Sequence, residues 1–164
     1  MNNINKRGIS AVVATVLIIL ITVAAVTIIW AAIIPMINNQ LEEGTLCLDA
    51  VSQVTIVDEG YTCYDSSDSN VSIQIAHGAE DFLLADMQML ISEGGDTTSI
   101  LLVGSGVYTL NDLPGVNEEK VLYAEYSNTT IAGPSKVEIA PVVKIGNTQE
   151  TCEISSSVVL RACN

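Results

Sequence analysis

The chain has 164 residues, room for one domain of ordinary size and a further segment. Nineteen acids against six bases give a net charge of −13, a surface that repels phosphate backbones and excludes a nucleic-acid partner. Apolar residues make up 49% but aromatics only 4%, and the apolar excess is concentrated near the N-terminus, so the chain is read as two unlike parts.

The first part opens with Lys6 and Arg7 set against Gly8, after which no ionisable side chain occurs until Glu42. Residues 9–37 read ISAVVATVLIILITVAAVTIIWAAIIPMI. As a helix these about 29 residues reach roughly 43 Å, whereas a bilayer core needs about 20 apolar residues. The segment is apolar on every side, which excludes an amphipathic surface helix. In lipid its backbone must be satisfied internally, and Thr15, Thr22 and Thr27 are placed to return their hydroxyls to the preceding turn. Ser10 and Ala14 form a small-xxx-small pair of the kind that admits a close helix neighbour. Trp30 falls near the outer interface. Pro35 removes one intrahelical bond and is an expected kink. Beyond it Ile33, Ile37 and Leu41 keep a spacing of four, and Gly44, following Glu42 and Glu43, is the predicted C-terminal cap. Cations at the near end and acids at the far end predict a cytoplasmic N-terminus and an outside C-terminus.

A secretory signal has a shorter apolar core followed by a small-x-small cleavage site, and Asn38, Asn39 and Gln40 do not supply one. A plain signal anchor explains the charges and the apolar run, but not the glycine between them. The sequence KRG followed by ISAVVATVLIILITVAAVTIIWAAIIPMI resembles the N-terminus of archaeal type IV pilins, over roughly residues 6–40. The resemblance implies a class III signal peptide, residues 1–8, cut by a prepilin peptidase between Gly8 and Ile9 on the cytoplasmic side. The apolar helix, residues 9–44, then stays in the mature protein. It implies a filament in which this helix packs against copies of itself, with residues 45–164 as an extracellular head. The implied partners are further copies of the chain, the peptidase, an assembly ATPase and a membrane platform protein. Val13 stands at the fifth mature position, where bacterial relatives of the family usually carry Glu. The run has no glycine after Gly8, which separates it from the swimming-filament subunits and favours an adhesion pilus whose target is a cell or an abiotic surface.

From Thr45 the period changes to two. Val71, Ile73 and Ile75 alternate with Ser72, Gln74 and Ala76, and Met87, Met89 and Ile91 with Gln88, Leu90 and Ser92. Further strands are predicted at residues 51–57, 99–103, 107–110, 121–126, 136–145 and 154–160. Turn signals separate them at residues 58–60, 93–96, 113–115, 132–134 and 145–147. The fold class is therefore α+β: a long hydrophobic N-terminal helix followed by an antiparallel β-sandwich, immunoglobulin-like, or a barrel-like head. Cys47, Cys63, Cys152 and Cys163 all lie in this second part. An even count in an exported domain implies two disulfides, with three pairings open. Neighbour pairing, Cys47 with Cys63 and Cys152 with Cys163, closes two short loops worth roughly 3 kcal/mol each in the chain-entropy model. No C-x-x-C occurs and the single histidine, His77, has no partner motif, so no zinc site is expected.

Asn70-Val71-Ser72 and Asn128-Thr129-Thr130 are sequons, giving Asn70 and Asn128 as candidate N-glycan acceptors. Tyr64 to Asn70, YDSSDSN, is read as a solvated polar loop, since it lacks the ligand spacing of a calcium loop. No serine sits in a nucleophile elbow and no phosphate-cradling loop occurs, so no catalytic residue, cofactor or metal is assigned. The expected function is that of a structural major pilus subunit, with a minor pilin that caps or primes a filament as a further possibility. The alternative is a monomeric single-pass membrane-anchored extracellular binding domain that uses the helix only as a tether.

Overall fold

The computed structural model describes residues 11–163, so the leader cations Lys6 and Arg7, the Gly8–Ile9 cleavage position and Ser10 lie outside the described residues. The chain divides into two units, Met1–Leu41 and Glu42–Asn164. The first is helical: α1 covers Ala11–Ile28, a π-helical turn Ile29–Ile33, and α2 starts at Ile34. The three threonines behave as predicted, with Thr15 Oγ1 donating to the Val12 carbonyl at 2.9 Å, Thr22 to Ile19 at 2.9 Å and Thr27 to Ala24 at 2.8 Å. Pro35 offers no N–H to the carbonyl of Ala31, four residues back, and its ring crowds that carbonyl. Ala31 lies inside the π turn, where the helix is locally widened.

The cap predicted at Gly44 is not there. α2 spans Ile34–Gln53 and runs through the glycine. Ala50 is fully buried, and Leu46, Cys47 and Val51 pack partly buried against the same core. This 3–4 spacing makes an apolar stripe, and its burial outweighs the roughly 1 kcal/mol that a mid-helix glycine costs relative to alanine. Residues 51–53, predicted as the start of a strand, are the last turn of this helix.

Among the described residues the second unit carries nine strands in two antiparallel sheets, the sandwich expected from the alternation. In one sheet β3 (Asn70–His77) is central. β1 (Val54–Val57) and β2 (Cys63–Asp65) share one flank of it, and β6 (Glu119–Glu125) covers the other. In the other sheet β4 (Leu84–Glu93) and β7 (Lys136–Ile145) are central. β5 (Asp96–Leu101) lies outside β4, while β8 (Thr148–Thr151) and β9 (Ser156–Val159) share the far flank of β7. Inward residues follow the pleat: Val71, Ile73 and Ile75 from β3, Met87, Met89 and Ile91 from β4, Val137, Ile139 and Val143 from β7 are all at most 1% exposed.

A proline inside a central strand removes a ladder bond, yet β7 holds Pro141. Its position removes the difficulty. β9 pairs with residues 136–139 of β7 and β8 with residues 142–145, so Pro141 sits where one short strand gives way to the next, and its carbonyl accepts from Cys152 N at 2.9 Å. Gly94 and Gly95, at φ 60° and 111°, form the two-residue turn between β4 and β5, a conformation that glycine adopts without strain. The strand predicted at residues 107–110 is absent. Asp86, buried at a bulge in β4, accepts from Met87 N, Val103 N and Gly104 N at 2.7–2.8 Å, which fixes a turn over residues 102–106 and leads into a 3-10 turn at Leu110–Asp112.

Gly44 has helical backbone and open space where a Cβ would stand. Gly44→Ala is therefore expected to stabilise this unit by about 0.5–1 kcal/mol, read as a rise of about 2–5 °C in the melting temperature of the full chain in detergent. A fall would mean that residue 44 is not helical.

Candidate functional site

Two surfaces carry the functional interest. The first is the helix from Ala11 to Asn38, the one described helix long and apolar enough to cross a membrane. No residue of α1 or of the π turn is buried. Val12, Ile18, Leu20, Ile21, Ile28 and Trp30 are all about 60–70% exposed, and they point to different sides of the helix, so no face has a partner within the described chain.

The second is the staple that holds the head. Cys47 pairs with Cys152 and Cys63 with Cys163, so the neighbour pairing is not the one formed. Cys47 lies on the last turns of α2 and reaches Cys152 just after β8. Cys63 opens β2, and the tail runs parallel beside it: Tyr64 N donates to Arg161 O and Cys163 N to Tyr64 O, both at 2.9 Å. The sequence separations are 105 and 100 residues, and the two loops interlock. All four cysteines are oxidised.

The two sequons sit in unlike settings. Asn70 begins β3 and is paired across both flanks, to Asp65 and to Glu125, and the Ser72 hydroxyl donates to the Tyr61 carbonyl. Asn128 is exposed in the turn after β6. Residues 66–69 form the turn between β2 and β3, with Ser67 N donating to Asp65 Oδ1 at 2.8 Å. The segment from Tyr64 to Asn70 is thus a hairpin whose ends are strand, not loop throughout. His77 is buried and hydrogen-bonded: its Nδ1 lies 3.0 Å from the Pro114 carbonyl and its ring is 4.7 Å from that of Phe82. The carbonyl can only accept, so Nδ1 donates, and Nε2 is buried with no hydrogen-bond partner among the described residues.

No family model matches the chain, and no curated protein matches it. Among solved structures, a bacterial immunoglobulin-like domain from the M. primoryensis ice-binding adhesin matches 69% of this chain and 96% of its own length, at 9% identity and a TM-score of 0.35. So distant a likeness carries no functional argument.

Surface carboxylates pin the loops around the sheets. Glu93 accepts from Ala132 N at 2.7 Å, Asp112 from Thr109 N at 2.7 Å and from the Thr109 hydroxyl at 2.8 Å, and Glu118 from Gly115 N at 2.8 Å. These backbone donors hold each carboxyl below its ordinary value, in Glu93 chiefly through Gly133 and Ala132, with Lys120 a lesser contributor at Asp112 and Glu118. Tyr126 is shifted the other way, its phenol raised by burial and then by neighbouring Tyr64, Asp65 and Glu93. A lowered carboxyl stabilises the folded state above the ordinary carboxylate range, near pH 4, and that stabilisation disappears as pH falls through the folded values. Amide exchange at Thr109, Gly115 and Ala132, corrected for the intrinsic rate, is therefore expected to quicken below about pH 4 before the buried strands respond. Uniform protection down to pH 2 would contradict this assignment.

Proposed function

We propose that the chain is the structural subunit of an archaeal type IV adhesion pilus. The observation that carries this reading is an apolar helix with no covered side and no partner among the described residues, followed by a β-sandwich closed by two disulfides. The basic leader and Gly8 add the resemblance. Disulfides persist in oxidising surroundings, which supports a head outside the cell and a helix that starts in the membrane.

Lipid and a bundle of like helices are both apolar, so moving from one to the other gains little hydrophobic free energy, and close packing supplies the preference. Each copy contacts the next head to tail, which generates an open helical polymer. Once the polymer is in water, withdrawing a subunit exposes Leu, Ile and Val side chains at roughly 1.5–3 kcal/mol each, so the fibre is effectively permanent.

Two measurements test the reading. The chain recovered from sheared surface filaments is expected to begin at Ile9 on N-terminal sequencing; one that begins at Met1 or Asn2 removes the processing step. The variant Ala24→Phe separates a fibre from a tether. Lipid accepts the larger apolar side chain, whereas a close-packed bundle does not. Filament yield is expected to fall at least about tenfold with the membrane level of the chain unchanged. The anchored-monomer alternative is supported if wild-type filaments never contain the chain.

A further inference from the structure

Beyond the helix and the staple, the head has an open groove of about 450 Å³ beside the outer edge of β6. Val107, Tyr108 and Tyr123 supply its apolar wall, and Asn70, Glu125 and Asn128 its polar fringe. Tyr108 is a fixed part of it: its hydroxyl accepts from Tyr123 N at 2.7 Å and lies 3.1 Å from the Tyr123 carbonyl, so one side chain satisfies both outward backbone groups of an edge residue. The rest of the wall is uncovered, with Val107 73% and Tyr123 55% exposed. No Lys or Arg lines the groove, so a phosphate-bearing ligand finds no counter-charge. A purely aliphatic ligand strips water from Glu125 and Asn70 and returns no hydrogen bond. A pyranose ring meets both demands, with its C–H face on an aromatic or aliphatic wall and its hydroxyls on carboxylate and amide.

Both sequon asparagines lie on this one groove, and only one of them is placed to be an acceptor. The acceptor amide needs a free side chain and the sequon hydroxyl in a turn-like backbone. Asn128 is exposed in a turn, and no hydrogen bond engages the Thr130 hydroxyl among the described residues. Asn70 is locked between two ladders, and its sequon hydroxyl, that of Ser72, is already engaged. We propose that the groove is a saccharide seat, that its occupant is the chain's own N-linked glycan on Asn128, and that Asn70 is one of the groups that receives it. In the modification Asn128 Nδ2 attacks C1 of a lipid-linked glycosyl phosphate. The N–C bond forms as the C–O bond to phosphate breaks, the amide loses one proton, and the lipid phosphate leaves with the electron pair. Attachment at the rim sets an effective concentration in about the millimolar range, so contacts too weak to capture a free sugar suffice to hold this one. The inference rests on the export reading above.

The test uses the full chain purified from its own host, with peptide mass mapping and amide exchange at Tyr123, whose N–H is covered only by the Tyr108 hydroxyl. Sugar mass is expected on the peptide containing Asn128 and not on that containing Asn70. Asn128→Gln and Thr130→Val are both expected to remove it and to speed Tyr123 exchange at least about fivefold. Asn70→Gln is expected to keep the sugar and to speed exchange about twofold. A glycan on Asn70, a bare Asn128, or sugar on Asn128 whose removal leaves Tyr123 exchange unchanged overturns the proposal. Alkylation of the cysteines separates the two readings. Blocked thiols with a bare Asn128 leave export standing and defeat the groove proposal alone, whereas four reactive thiols with a bare Asn128 defeat both.

Discussion

The helix surface between Ala11 and Asn38 has to be kept from water by something other than the described chain. Among the described residues nothing covers α1, and each large aliphatic side chain left wet costs roughly 1.5–3 kcal/mol. Summed over such a helix the penalty exceeds the 5–15 kcal/mol that holds an ordinary domain together. The segment therefore has no stable state as an isolated rod in water; it has only a choice of apolar surroundings. Side-chain size decides between them. Lipid tails conform to any profile, whereas a neighbouring helix approaches closely only where Ala14, Ala24, Ala25, Ala31 and Ala32 leave room.

The head meets a different constraint. Its core draws on short strands, and β1, β2, β8 and β9 have only three or four residues each, too few to hold register through their ladders alone. The crossed disulfides act where these short strands end. In the chain-entropy model a loop of about 100 residues is worth about 4.7 kcal/mol. Given the first bridge, the second closes a circuit of roughly 27 residues through the two arms, worth about 3.5 kcal/mol more. Neighbour pairing closes two small independent loops and leaves the long stretch between Cys63 and Cys152 free in the unfolded chain. The interlocked pairing constrains that stretch as well.

The long strands were legible because their physics is local. In β3, β4 and β7 the alternation of Val, Ile and Met with smaller or polar residues marks which face is buried, and the predicted span of β7 matches the observed one residue for residue. β2 and β8, CYD and TQET, have no such signal; they are strands because β3 and β7 offer them backbone partners. The end of α2 was misread for the opposite reason: Gly44 is a strong local stop signal, overridden by burial of Ala50, which depends on sheets that come later in the chain. The disulfide pairing is tertiary by nature. So is the contrast between the sequons, since the Asn70 tripeptide differs from that of Asn128 only through the strands on either side of it.

The staple also fixes how the head bears load. Cys47 belongs to the helix and Cys152 follows β8 beside β7, so tension arriving along α2 reaches a covalent junction before it reaches any strand. From that junction two covalent routes lead to Cys163: directly along the chain from Cys152, or along the chain from Cys47 to Cys63 and across the second bridge. Neither route passes through β3, β4, β5, β6 or β7, so pulling between the helix and the C-terminal tail straightens only the short arms. The ladders among β3, β4, β5, β6 and β7 lie off the load path, whereas β1 and β9, which pair with β3 and β7, lie within the two arms. The same two bonds that restrict the unfolded chain thus take the central strands out of tension.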